Sequence, residues 1–322
     1  PDAVSNGRYD WAYLDNPDGP AHVWVAETQN GDVIGTSAGF PRRFRLAGET
    51  LQGIVLSDFA ISKKYRTLGP AVALLRATLG AVKDGTFNFA LDYPSESMLA
   101  VYRRLGALEL GKVNRYVRLL RMKGAAERRY GKGPLASLVG ASGDAIIGTL
   151  DRFKKVPRSV RVETGRVTFG EDHDGLSRLL ESRCKVVGER SARYLNWRYH
   201  GGARFESTVV AIRSGAELLG FGVLQNMAAN SMTISEFVCP QDQGMEEVLF
   251  NAMLREARGR GAEALQATGF DGGPWATVLE RLGFANREAL TGPVVYSPRD
   301  ESWTAALHDK DNWWMTDGDR DG

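Results

Sequence analysis

Residues 58–71 read Asp58-Phe59-Ala60-Ile61-Ser62-Lys63-Lys64-Tyr65-Arg66-Thr67-Leu68-Gly69-Pro70-Ala71. The apolar residues before this stretch predict a strand, and the apolar periodicity after it predicts a helix over about residues 71–82. Pro70 suits the first turn of that helix, where its missing N–H is not needed. A helix start exposes N–H groups with a positive partial charge, and Arg66 adds a full charge. The stretch therefore predicts a binding site for phosphate or pyrophosphate, with Gly69 allowing close approach to the backbone.

An aromatic cluster followed by two predicted strands occurs twice in the chain. The clusters read Tyr9-Asp10-Trp11-Ala12-Tyr13 and Tyr194-Leu195-Asn196-Trp197-Arg198-Tyr199. After each cluster, alternating apolar residues predict a strand that returns through a glycine-containing turn. Gly35 stands 24 positions after Trp11, and Gly220 stands 23 positions after Trp197. Such similar spacing indicates a duplicated unit.

The match between the two copies continues through a third strand, which carries Asp58 in one copy and Glu236 in the other. A helix, a short strand and a second helix follow in each copy. Gly106 comes 48 positions after Asp58, and Gly283 comes 47 positions after Glu236, where glycine suits a helix C-terminal cap. The sequence predicts an α/β (α+β) fold, with two tandem units of mixed sheet flanked by helices.

The predicted division of the chain follows from this repeat. The first unit is expected at residues 1–121 and the second at residues 162–322. Residues 122–161 are predicted to be a mostly helical connector, with Pro134 near the start of a helix. The tryptophan-rich tail after Pro293 has no counterpart in the first copy and is assigned to the second unit.

The composition limits the partners and cofactors that the chain can have. With 322 residues, 43% of them hydrophobic, the chain can bury the cores of two domains. The 41 lysines and arginines nearly balance the 39 acids, so no strong field points to nucleic acid. Cys184 and Cys239 lack metal-ligand spacing, so we expect no metal. Because no long apolar run and no signal peptide are seen, we expect no membrane span and a cytoplasmic location.

Arg66-Thr67-Leu68-Gly69-Pro70-Ala71, here called the phosphate loop, resembles the acyl-CoA pyrophosphate loop of the GNAT acetyltransferase superfamily. Phe89-Ala90-Leu91-Asp92, Ser95 and the helix ending in Tyr102-Arg103-Arg104-Leu105-Gly106-Ala107 are similar to that family's next strand and helix. The resemblance implies a splayed pair of parallel strands around the pantetheine arm of acyl-CoA. It implies these cofactor contacts: Phe59, Ala60, Ile61, Arg66, Thr67, Leu68, Gly69, Ala71 and Ser95. The chain departs from the family pattern at Pro70, which has no N–H, at Ser95 in place of Asn and at Ala107 in place of Phe.

The resemblance also implies direct acyl transfer to an amine, without a covalent enzyme intermediate. Such transfer needs a base for the ammonium proton and an acid for the departing thiolate. Asp58 is the natural candidate base because its strand should end beside the thioester, although this carboxylate could instead pair with an arginine or cap the loop. Glu236 and His200 are further candidate bases. The family pattern implies Tyr102 as the acid, but a tyrosine on an apolar helix face can also be a core residue.

The second copy keeps the strands and helices but loses the phosphate loop. Residues 239–244 contain no basic residue, and Leu279 stands where the first copy has Tyr102. We therefore expect the second unit to bind no CoA and instead to shape the acceptor pocket.

Tandem GNAT units with the motif Leu195-Asn196-Trp197-Arg198-Tyr199 and a tail reading Thr316-Asp317-Gly318-Asp319 resemble bacterial sugar N-acyltransferases and polysaccharide-biosynthesis acyltransferases. This resemblance implies an amino-sugar acceptor. Arg198 has no equivalent in the first copy, so it is a candidate acceptor contact, and Trp313, Asp317 and Asp319 in the tail would suit a sugar. The indole face would stack on the sugar ring, and the carboxylates would accept its hydroxyl groups or hold an ammonium group. The acidic tail, which continues to Asp321, could equally be a solvated chain end. It lacks the pattern of a calcium loop.

The predicted function is acyl-CoA-dependent N-acyl transfer to the amine of a small polar acceptor, with acetyl-CoA or another short-chain acyl-CoA as co-substrate. We expect a nucleotide-linked amino sugar in polysaccharide biosynthesis as the acceptor. Two alternatives stay open: a FemAB-like aminoacyl transferase acting on a cell-wall precursor, and a non-catalytic tandem-GNAT binding module. The exposed sheet edge at the splay could pair with a second copy, which leaves a homo-oligomer open.

Overall fold

The computed structural model describes residues 7–46, 48–152, 156–201, 206–227, 230–239, 244–273, 275–298 and 301–320. The strands within them are β1 His22–Glu27, β2 Val33–Leu46, β3 Glu49–Ile61, β4 Phe89–Asp92, β5 Leu108–Glu109, β6 Val113–Leu119, β7 Arg161–Gly165, β8 Val186–Gly188, β9 Ser207–Ser214, β10 Glu217–Met227, β11 Ser231–Val238, β12 Ala264–Phe270, β13 Ala285–Leu290, β14 Val294–Tyr296 and β15 Trp313–Trp314. The α-helices are α1 Leu68–Lys83, α2 Glu96–Leu105, α3 Lys123–Tyr130, α4 Pro134–Arg152, α5 Glu171–Glu181, α6 Ala192–His200, α7 Met245–Gly259, α8 Ala276–Arg281 and α9 Thr304–Leu307. A π-helical turn spans Asp10–Leu14, and 3-10 turns span Lys63–Tyr65, Lys310–Asn312 and Asp317–Asp319.

The described strands form two mixed sheets, which confirms the predicted fold class. The first sheet has the order β15-β8-β2-β3-β4-β14-β5, with β1 also paired to β2, and the second has the order β13-β6-β12-β11-β10-β9-β7. In the first sheet β2 and β3 pair antiparallel, and β3 and β4 pair in parallel. In the second sheet β10 and β11 pair antiparallel, and β11 and β12 pair in parallel. The shared topology agrees with the duplication that the residue spacing predicts.

The compact units differ from the predicted division at residues 121 and 162. One unit comprises residues 1–113, 181–204 and 290–322, and the other comprises residues 114–180 and 205–289. The difference arises because each sheet takes a strand from the other copy of the repeat. In the first sheet β14 lies between β4 and β5, and in the second sheet β6 lies between β12 and β13. The tryptophan-rich tail belongs to the first unit as well, since β15 pairs with β8.

Several local predictions agree with the observed elements. The helices predicted between residues 122 and 161 are present as α3 and α4, and α4 begins at Pro134. Helix α1 begins at Leu68, three residues earlier than predicted, so Pro70 is its third residue and still lies in the first turn. Helix α2 ends at Leu105 and is capped by Gly106 with φ of 91°, a left-handed conformation that favours glycine.

The middle of β3, from Gly53 to Leu56, is buried on both faces within the first unit. Ile54 packs in an apolar cluster with residues of α1 and α2. Neighbouring strand residues point to the opposite face, where the Phe44 and Phe89 rings lie 4.9 Å apart and the Trp313 ring lies 6.0 and 6.2 Å from them. The Trp313 indole is 3% exposed and donates to the Leu307 carbonyl at 2.9 Å. The ring expected to stack on a sugar therefore lies in the core.

Two glycines of the first unit give opposite stability predictions. A Cβ at Gly53 would lie 2.8 Å from the Phe44 ring and 2.9 Å from the Phe89 ring, whereas a Cβ at Gly80 in α1 would meet no described atom within 4 Å. Gly53→Ala should lower the free energy of unfolding by about 1–3 kcal/mol through overpacking. Gly80→Ala should raise it by about 0.5–1 kcal/mol because alanine is the better helix residue. Urea unfolding of both variants checks this, and midpoints that shift in the same direction would contradict it.

Candidate active site

The parallel strands β3 and β4 separate soon after they pair. Their last described pair joins Val55 to Leu91. Strand β4 ends at Asp92, whereas β3 continues to Ile61. Beyond Val55, the edge of β3 on the side of β4 has no strand partner among the described residues. This geometry is the splayed strand pair that the family resemblance implies.

A β-bulge lies in β3 just beyond this point. Strand β2 pairs Ala38 with Ser57 but Thr36 with Ala60, so two residues of β3 oppose one residue of β2. Asp58 at the bulge has φ of 50°, a left-handed conformation that aspartate tolerates better than most residues. Bulges redirect side chains next to many active sites. The Asp58 side chain is 35% exposed.

The Asp58 carboxylate is held by two side chains from the start of the chain. The Arg8 guanidinium donates to it at 2.9 and 3.2 Å, and the Tyr13 hydroxyl donates at 2.6 Å. Burial and the hydrogen bond to Asp58 raise the pKa of Tyr13 to about 12, so the phenol stays a donor at neutral pH. Burial lowers the pKa of Arg8, but its bond and attraction to Asp58 outweigh burial and raise it. The carboxylate is therefore fixed in one orientation.

The phosphate loop leads from β3 into an open helix start. Lys63–Tyr65 forms a 3-10 turn, and Thr67 is the extended residue before α1. The Arg66 Nε donates to the Ile61 carbonyl at 3.0 Å, which ties the loop to the end of β3. A Cβ at Gly69 would meet no described atom within 4 Å. Cationic side chains and helix N–H groups together make this a favourable place for an anion.

Tyr102 and Ser95 occupy different surroundings at the two ends of α2. Tyr102 is 3% exposed, and its hydroxyl donates to the carboxylate of Asp92, the last residue of β4. Burial and that carboxylate raise the pKa of Tyr102 well above its usual value. Ser95 is the exposed residue before α2, and its hydroxyl lies 3.0 Å from that of Ser97. No sequence pattern identified Asp92 as the partner of this tyrosine.

A small pocket that opens to solvent lies on the sheet face opposite the α1 and α2 cluster, and all its lining residues belong to the first unit. Its aromatic walls include Phe40, Tyr194 and Trp197. Its charged lining consists of Arg42, Arg198, Asp319 and Arg320. Of the four predicted acceptor contacts, the structure thus brings Arg198 and Asp319 together here.

The two repeated aromatic clusters meet beside this pocket. The rings of Trp11 and Trp197 stack at 5.1 Å, and each indole N–H donates to the other residue's carbonyl at 2.8 Å. The Arg198 guanidinium lies 5.8 Å from the Trp11 ring and donates to the Arg320 carbonyl at 3.0 Å. Both repeated tryptophans therefore have a packing role, as the presence of both in the repeat indicates.

The acidic tail is built into the first unit. Asp319 is 2% exposed and lies 2.6 Å from the guanidinium groups of both Arg42 and Arg190. Burial alone would raise the pKa of Asp319, but attraction to Arg190 and Arg42 and the Thr316 N–H bond lower it. Asp317 is partly exposed and lies 3.7 Å from Arg320. The alternative of a solvated acidic end therefore does not describe Asp319, while Asp321 lies outside the described residues.

The other predicted catalytic residues are on elements other than β3 and α2. Glu236 is in β11 of the second unit, is 1% exposed, and accepts from the Phe237 N–H at 3.0 Å. His200 is the last residue of α6 in the first unit. Leu279 is buried on α8. Residues 240–243, where the second copy lacks the loop motif, lie outside the described residues.

Neither a metal cluster nor a membrane-spanning helix is found in the part of the chain that the structure describes. Its His, Cys, Asp and Glu side chains form no group of three or more that could hold a metal ion. Its helices are all too short or too polar to cross a bilayer.

Residues 2–109 match the family model described as an acetyltransferase (GNAT) domain. No curated protein matches the sequence significantly. A GCN5-related N-acetyltransferase from Anabaena variabilis aligns with a TM-score of 0.63 and 14% identity, over 91% of this chain and 65% of its own. Saccharomyces cerevisiae N-myristoyltransferase with bound myristoyl-CoA aligns with a TM-score of 0.58 and 13% identity, over 95% of this chain and 75% of its own. A tandem GNAT protein from the clavulanic acid biosynthesis pathway aligns with a TM-score of 0.57 and 15% identity, over 93% of this chain and 90% of its own.

These structural likenesses concern the fold. The chain spans just under two thirds of the Anabaena protein but nine tenths of the tandem GNAT protein, whose 90% coverage agrees with the duplicated topology. The chain therefore has the fold of GNAT proteins, and its residues 2–109 match their acetyltransferase domain.

Proposed function

We propose that this chain is an acyl-CoA-dependent N-acyltransferase that acts on the amine of a small polar acceptor. The observation that carries the proposal is the course of β3. This strand leaves β4 after Val55, presents Asp58 at a bulge and leads through Arg66 into the open start of α1. The domain match of residues 2–109 supports the same activity. The myristoyl-CoA bound in the yeast relative supports an acyl-CoA donor.

The proposed donor is acetyl-CoA or another short-chain acyl-CoA. Its pantetheine amides would pair with the backbone of Phe59, Ala60 and Ile61, which lie on the splayed end of β3. Its pyrophosphate would bind at the phosphate loop, where the first helical N–H groups have no acceptor within the helix. Ser95 before α2 is a further proposed contact. No metal is required by this arrangement.

Asp58 is the proposed base because its carboxylate is partly exposed and fixed, whereas Glu236 is 1% exposed in the other unit. The Asp58 carboxylate would take the proton from the acceptor ammonium group. The free amine would then attack the acyl carbon, the carbon–sulfur bond would break with its electron pair going to sulfur, and the acylated nitrogen would release its second surplus proton to solvent. Tyr102 is the proposed acid for the departing thiolate, the role that the family resemblance implies, and the proton would come from the hydroxyl that donates to Asp92. His200 stays a secondary candidate for the base.

The proposed acceptor class is a nucleotide-linked amino sugar used in polysaccharide biosynthesis in the cytoplasm. The aromatic walls of the pocket support this choice because Phe40, Tyr194 and Trp197 offer apolar surface to a ring. The second unit is proposed to bind no CoA.

Calorimetric titration with acetyl-CoA tests the donor assignment. The unaltered chain is expected to bind acetyl-CoA, and the double variant Arg66→Glu, Gly69→Trp should bind it at least tenfold more weakly. The glutamate repels the pyrophosphate, and the indole fills the open space over the helix start. A charge-assisted hydrogen bond alone contributes about 1.5–3 kcal/mol, which corresponds to more than a tenfold change.

Gly80→Ala is the matched control, because Gly80 is in the same helix and has similarly open space around its Cβ position. This variant should bind acetyl-CoA like the unaltered chain. If the double variant binds acetyl-CoA as tightly as the unaltered chain, the donor does not bind at the phosphate loop. An unaltered chain that binds no acetyl-CoA would overturn the enzyme proposal and favour a non-catalytic binding module.

A further inference from the structure

The two oxygen atoms of the Asp58 carboxylate have different surroundings. Oδ2 accepts two hydrogen bonds, from the Arg8 Nη1 at 2.9 Å and from the Tyr13 hydroxyl at 2.6 Å. Among the described residues, Oδ1 accepts one, from the Arg8 Nη2 at 3.2 Å. Each oxygen of an ionised carboxylate has about two acceptor positions. Oδ2 is therefore saturated, whereas Oδ1 keeps a position for a further donor on a side chain that is 35% exposed.

The Tyr13 hydroxyl reaches Asp58 from a ring that is packed in place. The Tyr13 ring stacks on the Tyr9 ring at 5.0 Å and contacts the Phe40 ring edge-on at 5.2 Å. The π-helical turn that carries Tyr13 is anchored in the first unit by Trp11, which is 4% exposed. Packing therefore fixes the direction from which this hydroxyl approaches the carboxylate.

Arg8 and Tyr13 act on Asp58 as donors and do not compete with it for a proton. A guanidinium stays protonated in proteins and offers no acceptor. Burial and the hydrogen bond to Asp58 raise the pKa of Tyr13 to about 12, so the phenol also keeps its proton near neutral pH. What the two groups share is that they occupy one oxygen of the carboxylate and leave the other with room.

We propose that Oδ1 of Asp58 is the atom that takes the proton of the acceptor ammonium group, and that Arg8 and Tyr13 are positioning residues that select this oxygen. The inference rests on the proposed function and names its reacting atom. An N–H bond of the ammonium group breaks with its electron pair left on nitrogen, and an O–H bond forms at Oδ1. The donors to Oδ2 can stay in place, because a protonated carboxyl group still accepts at its other oxygen.

Single variants test the two positioning residues. Thiol release from acetyl-CoA is measured with UDP-glucosamine, glucosamine and spermidine as probe acceptors, and the fastest acceptor is kept. Tyr13→Phe keeps the ring and removes the hydroxyl, and Arg8→Met removes the guanidinium. Each should lower kcat by about tenfold to a hundredfold, the effect expected when a reacting group is misplaced. The affinity for acetyl-CoA should stay that of the unaltered chain, because neither residue belongs to the phosphate loop.

A second set of variants separates positioning from a general effect on folding. A residue that acts only through the Asp58 carboxylate has no further effect once that carboxylate is removed. Tyr13→Phe should therefore lower kcat in the unaltered chain but not in the Asp58→Asn background. Arg8→Lys should keep more of the rate than Arg8→Met, because lysine keeps a charged donor. Tyr9→Phe is the control, since Tyr9 belongs to the same ring stack and is 53% exposed, and it should leave kcat unchanged.

The inference is overturned if either Tyr13→Phe or Arg8→Met keeps kcat within about threefold of the unaltered chain. It is also overturned if Asp58→Asn keeps the rate, or if Tyr13→Phe lowers kcat equally with and without the Asp58 carboxylate. Any of these results in a chain that transfers acetyl groups would reject the positioning role and leave the acyltransferase proposal standing. An unaltered chain that releases no thiol with any probe acceptor would overturn the acyltransferase proposal, and this inference with it.

Discussion

Asp58→Asn is expected to lower kcat/KM for acyl transfer from acetyl-CoA to UDP-glucosamine by about 10²–10⁴-fold, the usual contribution of a positioned general base. Asparagine keeps the size of the side chain and accepts the left-handed backbone at φ of 50°. Its amide oxygen can still accept from Tyr13 or Arg8. The variant should therefore fold normally while losing the group that takes the ammonium proton. Release of free thiol measures the rate.

The control for this experiment is Asp32→Asn, which changes an exposed aspartate in the turn between β1 and β2. It should leave kcat/KM unchanged. Asp58→Asn should also keep the acetyl-CoA affinity of the unaltered chain, because the loss concerns proton transfer. A rate within threefold of the unaltered chain would show that another group, such as His200 or Glu236, accepts the proton.

Asp319→Asn is expected to lower the free energy of unfolding of the first unit by about 3–5 kcal/mol, the cost of removing one partner from a buried ion pair. The carboxylate is 2% exposed and lies 2.6 Å from both Arg42 and Arg190. An asparagine would place an amide N–H₂ against a guanidinium and remove the carboxylate that pairs with both buried cations. Urea unfolding at neutral pH measures the loss.

Asp317→Asn is the matched control in the same tail. Asp317 is 18% exposed and lies 3.7 Å from Arg320, so its pair resembles a surface ion pair and its loss should cost less than about 1 kcal/mol. Equal losses in the two variants would contradict the assignment of Asp319 as the buried anchor of the tail.

The effect of Asp319→Asn should also depend on pH. The arginines keep the pKa of Asp319 below its usual value even though burial acts to raise it. Its contribution to stability is therefore present above the ordinary aspartate pKa of about 4, and is lost as the pH falls through the lowered folded value. The difference between the unaltered chain and the variant should narrow on acidification. A difference that grows as the pH falls would contradict this sign.

Much of the candidate site depends on local features that a sequence shows. The strand that bears Asp58, the loop with Arg66 and Gly69, and the helix ending at Gly106 follow from short-range periodicity and backbone requirements. The partners of these residues do not follow from such patterns. Arg8 has no periodic or motif context that would place it on Asp58. Tyr13 belongs to the repeated aromatic cluster, whose spacing indicates a duplication but does not place its hydroxyl on Asp58.

The predicted acceptor contacts depend even more on surroundings that local sequence patterns do not show. Arg198 and Asp319 share a pocket, but Trp313 lies in the core and Asp317 does not line the pocket. A tryptophan in a polar tail has the same local sequence whether it faces solvent or completes a sheet. Its surroundings depend on the pairing of β15 with β8, more than 120 positions earlier in the chain.

The sequence by itself determined that the chain holds two copies of one α/β unit, that only the first carries a phosphate loop, and where most strands and helices lie. These properties depend on residue spacing and on backbone preferences within a few turns of chain. Only the tertiary structure decided that β14 completes the first sheet and β6 the second, and that Arg42, Asp319 and Arg198 meet at one pocket. Hydrogen bonds between distant strands and the burial of charge beside an opposite charge select these arrangements, and neither is visible in the local pattern.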